Sequence, residues 1–191
     1  MLLAMDVNNT HIKVGIYREA ELLVNWRIST DPDKTADEYA MVLRNMFDYA
    51  GFAFPQIHAV AISCVVPPLV DTMDRLCRKY FGLAPLLVGP GIRTGMRILY
   101  EDPKAVGADR IVGAIAAYEK YGGPAIVVDF GTATTFTAVS PEGDFLGGAI
   151  APGIGISMEA LAEHAAQLRR VELAKPRTII CRNTVTAMQA G

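Results

Sequence analysis

Residues 2 to 17 read "LLAMDVNNTHIKVGIY" and residues 125 to 139 read "AIVVDFGTATTFTAV". In each, an apolar run stops at an aspartate, Asp6 or Asp129, passes through a few small or polar residues, and turns apolar again. Such a stretch combines two chemistries. Successive backbone N–H groups in a turn form a nest for phosphate oxygens, and small residues let a phosphate approach the main chain. Threonine and asparagine add side-chain donors without bulk. A neighbouring aspartate suits Mg2+, which prefers carboxylate and phosphate oxygens and keeps much of its water. Asp6 is therefore a candidate magnesium ligand, and Lys13, on the next strand, reads either as meeting a phosphate or as a solvated lysine. One such turn is explained as well by an ordinary hairpin. A second copy followed by the same strand pattern favours two turns facing each other across a cleft and gripping one triphosphate. His11, on the strand face of Lys13, reads as structural or exposed, and His58 and His164 stand near no Cys/His cluster.

A third stretch, "EDPKAVGADRIVGAIAAYEK" at residues 101 to 120, holds Gly107, Ala108, Asp109 and Arg110 just where a helix begins. Asp109 has two readings. It caps the helix, a role worth about 1 kcal/mol, or it orients an acceptor hydroxyl and takes its proton. Phosphoryl transfer passes through a loose transition state, for which an ordinary carboxylate is basic enough. Arg110 would then neutralise an anionic substrate group through its planar fork. Spacing leaves both readings open.

The elements that must position these residues follow from pattern. Residues 2–6, 11–17 and 21–28 read as short strands separated by the turns "NNT" and "REA". "TADEYAMVLRNMFDYAG" is a helix with Thr35 and Glu38 spaced as a capping box, apolar Tyr39, Val42, Leu43, Met46 and Phe47, and Gly51 to end it. Residues 57–63 read as a buried strand, "PPLVDTMDRLCRKYFG" as a helix opened by proline and stopped by Gly82, and "LLVG" as a further strand. This strand and helix alternation indicates an α/β protein. Residues 89–104, rich in Gly and Pro, read as a connection. A helix from Ala108, strands at 134–139 and 145–150 around the turn "SPEGD", and a helix from about Gly155 to Leu168 complete the second half, which repeats the pattern of the first.

Composition excludes several classes. With 51% hydrophobic residues in 191, the chain supports a proper core, and disorder is not expected. The 18 basic and 20 acidic residues are mixed along the chain, net −2, so no field attracts nucleic acid. Pro67 and Pro68 break the longest candidate membrane span. Cys64, Cys77 and Cys181 have no metal-like spacing and read as buried, inert thiols of a reducing compartment. The expectation is a cytoplasmic protein without a membrane or nucleic-acid partner.

The segments "DVNNTHIKVGIY", "SCVVPPL", "YEDPKAVGADRI", "VVDFGTATTFTAVSPEGDFLGGAIAPGI" and "RNTVTAMQAG" together resemble the type III pantothenate kinases, over the whole chain. The resemblance implies α/β architecture of the actin-like ATPase and sugar kinase superfamily: duplicated ribonuclease H-like domains, residues 1–107 and 108–191, with mixed sheets flanked by helices. It implies transfer of the ATP γ-phosphate to the primary hydroxyl of pantothenate, giving 4′-phosphopantothenate in coenzyme A synthesis. By position, Asp6, Val7, Asn8, Asn9, Thr10, His11, Ile12 and Lys13 would bind ATP, with Thr132 in the second phosphate turn. Asp109 would accept the proton, and Tyr100, Gly107, Ala108, Asp109 and Arg110 would contact pantothenate. Asp129 would hold a monovalent cation, potassium or ammonium, beside the Mg2+ that accompanies ATP. Thr184 would reach the pantothenate site of a partner subunit, making a homodimer part of the active site.

The chain departs from the family pattern in places. Asn8 stands where glycine is usual; asparagine tolerates positive φ but puts a side chain beside the phosphate, so weaker ATP binding is expected. Cys181 replaces a common glycine and Arg169 a usual proline. Family members also continue past the position of Gly191, so the second domain is expected to be truncated. An alternative function, suggested by relatives named as transcription accessory factors, is a nucleotide-binding regulator with impaired catalysis.

Overall fold

The computed structural model describes residues 1–89 and 92–191. It is a mixed α/β protein whose sheets are flanked by helices. Two compact units make it up: Met1–Ala125 with Ala138–Gly147, and Ile126–Thr137 with Gly148–Gly191.

The first unit is built on β1 (Leu2–Val7), β2 (His11–Arg18), β3 (Glu21–Ser29), β4 (Ala59–Cys64) and β5 (Leu86–Val88), in the order β3-β2-β1-β4-β5. β1 runs antiparallel to β2, with Asp6 opposite Lys13, and parallel to β4, with Asp6 opposite Ser63. Alternation sets the faces. Leu3, Met5 and Val7 of β1 and Ile12, Val14 and Ile16 of β2 are buried on one side, while Ala4, Asp6, Lys13 and Tyr17 fall on the other.

The buried face is covered by α1 (Ala36–Tyr49) and α2 (Pro67–Leu76), which contribute Tyr39, Leu43 and Phe47 and Leu69, Met73 and Leu76. The expected capping box opens α1. The Thr35 hydroxyl accepts from the Glu38 N–H at 3.3 Å, and the Glu38 carboxylate accepts from the Thr35 N–H at 2.8 Å. Beyond Leu76 the expected helix widens into a π-helical turn, Cys77–Phe81, before Gly82 ends it at φ +68°. Phe81 there stacks on Phe54 at 4.3 Å, and Phe54 meets Phe47 edge-on at 5.0 Å.

The 57–63 strand begins two residues later than expected, at Ala59. Pro90 and Gly91 of the 89–104 connection lie outside the described residues; the remainder carries an isolated bridge between Ile98 and Phe145 and a 3-10 turn at Pro103–Ala105. It leads into α3 (Ala108–Tyr121).

β6 (Ala125–Phe130), β7 (Ala133–Val139) and β8 (Phe145–Pro152) form a sheet in that order. Asp129 is the fifth residue of β6, as Asp6 is of β1. α4 (Ile154–His164) stops short of the expected Leu168, because Ala165 is extended and the Leu168 N–H donates to the Ala165 carbonyl three residues back. α5 (Thr184–Ala190) is capped by Asn183, whose Oδ1 accepts from the Thr186 N–H at 2.9 Å. Among the described residues no helix is long and apolar enough to cross a membrane.

Candidate functional site

The first aspartate turn is tightly tied. The Asn8 N–H donates to the His11 carbonyl at 3.1 Å, closing the hairpin. Thr30, just past β3, donates its hydroxyl to the Asn8 carbonyl at 2.5 Å and its N–H to the Thr10 carbonyl at 3.0 Å. Sequence reasoning passed over Thr30, since its partners lie about twenty residues away and no local spacing marks it.

Asn8 keeps an ordinary backbone and spends its side chain on a neighbour. Among the described residues Glu19 is the one non-glycine at positive φ, so the turn does not call on the left-handed region at Asn8. Its side chain is directed at Asp6: Nδ2 donates to Oδ2 at 2.7 Å, and Lys13 Nζ reaches the same oxygen at 3.3 Å. Asp6 Oδ1 is buried and makes no hydrogen bond, and the same is true of the Ser63 hydroxyl directly across the strand pair. Leaving a buried acceptor unsatisfied costs about 1–3 kcal/mol. An oxygen in that state fits a water of hydrated magnesium, which typically takes one or two carboxylates together with phosphate oxygens. The residues at Asp6 thus suit the metal that accompanies a nucleotide.

Asp109 lies at the same edge of the sheet. β1 and β4 are parallel, and their C-terminal ends carry the Asp6 turn and Val65, whose N–H donates to the Val7 carbonyl at 3.0 Å. Crevices outside the carboxyl ends of parallel strands are where α/β folds bind ligands. Val65 also borders Gly107, the N-cap of α3: a Cβ built on Gly107 would lie 3.7 Å from Val65 Cγ1. The same Cβ would stand 2.5 Å from Asp109 Oδ1. With φ −59° and ψ 139°, Gly107 adopts a conformation open to any residue, so glycine is there for space, and the space holds the Asp109 carboxylate. Asp109 is not the N-cap; it is the second residue of α3, where its Oδ1 accepts from the Arg110 N–H at 2.8 Å. Asp109 thus stands next to the cap, where its carboxylate holds one of the free N–H groups of the helix start and also sits over a glycine at the sheet edge.

Tyr100 and Arg110 are brought together by a residue that sequence reasoning did not single out. The ring of fully buried Phe145 meets Tyr100 edge-on at 6.3 Å and carries the Arg110 guanidinium 5.3 Å from its centroid. Only long-range pairing joins these three, so no spacing in the chain reveals it.

In the second unit, Thr132 is exposed between β6 and β7, where the Gly131 N–H donates to the Ala133 carbonyl at 3.0 Å. The Gly153 N–H donates to the Thr132 carbonyl at 3.0 Å, and a Cβ on Gly153 would collide with the carbonyls of Gly131 and Thr132. That close approach fixes the start of α4 against this turn. Asp129 is exposed near the end of β6, and Thr184 is the exposed first residue of α5. Among the described residues no cluster of three or more His, Cys, Asp or Glu is arranged to hold a metal.

The thiols differ from their expected burial. Cys77 alone is buried, and burial pushes its pKa up to about 12. Cys64 and Cys181 are half-buried, and burial also raises the Cys64 pKa.

The chain is 54% identical over 191 residues to type III pantothenate kinase 2 of Symbiobacterium thermophilum, covering all of this chain and 72% of that protein. It is 50% identical over 191 residues to the type III pantothenate kinase of Halalkalibacterium halodurans, covering 75% of it. A solved structure named as a Baf family transcriptional activator, from Campylobacter jejuni, superposes with a TM-score of 0.57 at 17% identity, over 98% of this chain and 72% of that one. At that identity the likeness concerns the fold alone. Residues 2–191 match the type III pantothenate kinase family, and the chain belongs to it.

Proposed function

We propose that this protein transfers the γ-phosphate of ATP to the primary hydroxyl of pantothenate, yielding 4′-phosphopantothenate and ADP. The observation that carries the reading is the seat of the Asp109 carboxylate over Gly107, at the strand edge that also bears the Asp6 turn, in a chain of this family. Phosphoryl transfer asks little covalent chemistry of the protein; positioning and charge placement supply most of the acceleration. Asp109 receives the hydroxyl proton as the oxygen bonds to the γ-phosphorus and the bridging oxygen leaves with ADP. Arg110 and Tyr100, both held on Phe145, contact pantothenate, together with Gly107 and Ala108. The segment from Asp6 to Lys13 binds the nucleotide phosphates, Lys13 as a point charge, and Thr132 serves in the second turn. Magnesium bound with ATP would be held near Asp6 and would neutralise charge on the phosphates.

The same reading includes duplicated ribonuclease H-like domains of the actin-like ATPase type, a potassium or ammonium ion at Asp129, and a homodimer in which Thr184 completes the partner's pantothenate site. It places the protein in the cytoplasm, where its three free thiols stay reduced.

A coupled assay with pantothenate and Mg-ATP, with and without potassium, tests this. Turnover stimulated by potassium and lost in Asp109→Asn with the fold intact is the expected result; a drop of about 10²–10⁴ is typical for removing a general base. Normal pantothenate binding with no phosphorylated product would end the kinase reading and favour a regulatory one.

A further inference from the structure

We propose that Arg97 and Asp144 form a positioning clamp for the acceptor end of the site, acting through Phe145. The inference rests on the assignment of Tyr100 and Arg110 to pantothenate.

Arg97 and Asp144 meet in a bidentate pair, Nε to Oδ1 at 2.7 Å and Nη2 to Oδ2 at 2.5 Å. The geometry is the planar fork that fixes orientation as well as distance. Asp144 is 9% exposed in its side chain while Arg97 is 72% exposed, so the pair ties an outer strap to an inner turn. The inner turn is itself held: the Ser140 hydroxyl oxygen accepts from the N–H groups of Glu142 and Asp144, and the Ser140 N–H donates to the Asp144 carbonyl.

Main-chain bonds then carry the register to the next residues. The Phe145 N–H donates to the Arg97 carbonyl, and the Leu99 N–H donates to the Phe145 carbonyl, each at 2.8 Å. Tyr100 follows Leu99 directly, so the strap delivers its ring to the Phe145 edge at 75°. Arg110, from the start of α3, rests on the same ring. One buried aromatic therefore sets the distance between the two side chains assigned to the substrate, and the ion pair sets where that aromatic meets the strap. Arg97 and Asp144 are assigned no contact with either substrate, and their effect is on orientation. Loss of the clamp is expected to weaken acceptor binding and leave the nucleotide alone.

The test uses the 191-residue chain and its Arg97→Gln, Arg97→Lys and Phe145→Leu variants. Steady-state kinetics are measured with pantothenate and Mg-ATP varied separately, alongside amide hydrogen exchange at Leu99. For Arg97→Gln and Phe145→Leu, the pantothenate KM should rise about tenfold, the size of a lost aromatic pair or cation–π contact, while the ATP KM stays within about twofold. Leu99 should lose protection in Arg97→Gln, and Arg97→Lys should fail to restore either property, because a lysine lacks the fork. Leu99 exchange accelerated with an unchanged pantothenate KM would overturn the proposal. So would equal rises in both KM values, or Leu99 protection unaltered in Arg97→Gln. A wild-type chain that phosphorylates no pantothenate would instead bring down the assignment of the reaction itself, and this inference with it.

Discussion

Replacing Gly107 by alanine separates chemistry from stability at one position. The backbone there accepts a side chain without strain, and the nearest obstacle is the Asp109 carboxylate, 2.5 Å from the new Cβ. Real contacts of this kind are no shorter than about 3.0 Å, so the carboxylate oxygen must retreat by half an ångström or more. It terminates a short, rotatable side chain, but the move strains its bond to the Arg110 N–H, and alanine is a poorer N-cap than glycine, so folding loses about 1 kcal/mol. Catalysis loses more, because a misplacement of about 1 Å in a reacting group can cost on the order of 100-fold. That corresponds to about 2.7 kcal/mol in the barrier. We expect Gly107→Ala to lower the unfolding free energy by about 1 kcal/mol in urea, and to show kcat for pantothenate phosphorylation lowered about 100-fold. The ATP KM should not change. A Gly107→Ala enzyme with wild-type kcat would refute the claim that the carboxylate seated over this glycine is the proton acceptor.

Three further outcomes are expected. Phe47→Ala empties the centre of the aromatic cluster with Trp26, Phe54 and Phe81 and should lower unfolding free energy by about 3–5 kcal/mol in denaturant titration. Asn8→Ala removes the 2.7 Å bond to Asp6 and should raise the ATP KM roughly fivefold, equivalent to about 1 kcal/mol, with the pantothenate KM unchanged. The Glu38 carboxyl is held below its usual 4.5, first by the Thr35 N–H and then by the Thr35 hydroxyl. Its stabilisation is therefore present above that value and lost as pH falls through the lowered pKa. The Tm difference between wild type and Glu38→Gln should shrink between about pH 6 and pH 3.

Much of the architecture was written locally in the chain. The strand meander, the Thr35–Glu38 cap, the proline-opened helix and the two aspartates ending apolar strands depend on residues a few positions apart, where periodicity and hydrogen-bond chemistry act without help from the rest of the fold. The same locality made Asp6 and Asp109 legible as candidates. Their setting was not. Val65 joins the Asp6 turn to Gly107 only because β1 and β4 pair in parallel, and Arg97 reaches Asp144 across 47 residues. Asn8 reads as a misfit in a phosphate turn until its side chain is seen holding Asp6. Short-range pattern selects which residues can do chemistry; the packing of distant strands and helices determines the distances at which they do it, because those contacts depend on the whole chain having folded.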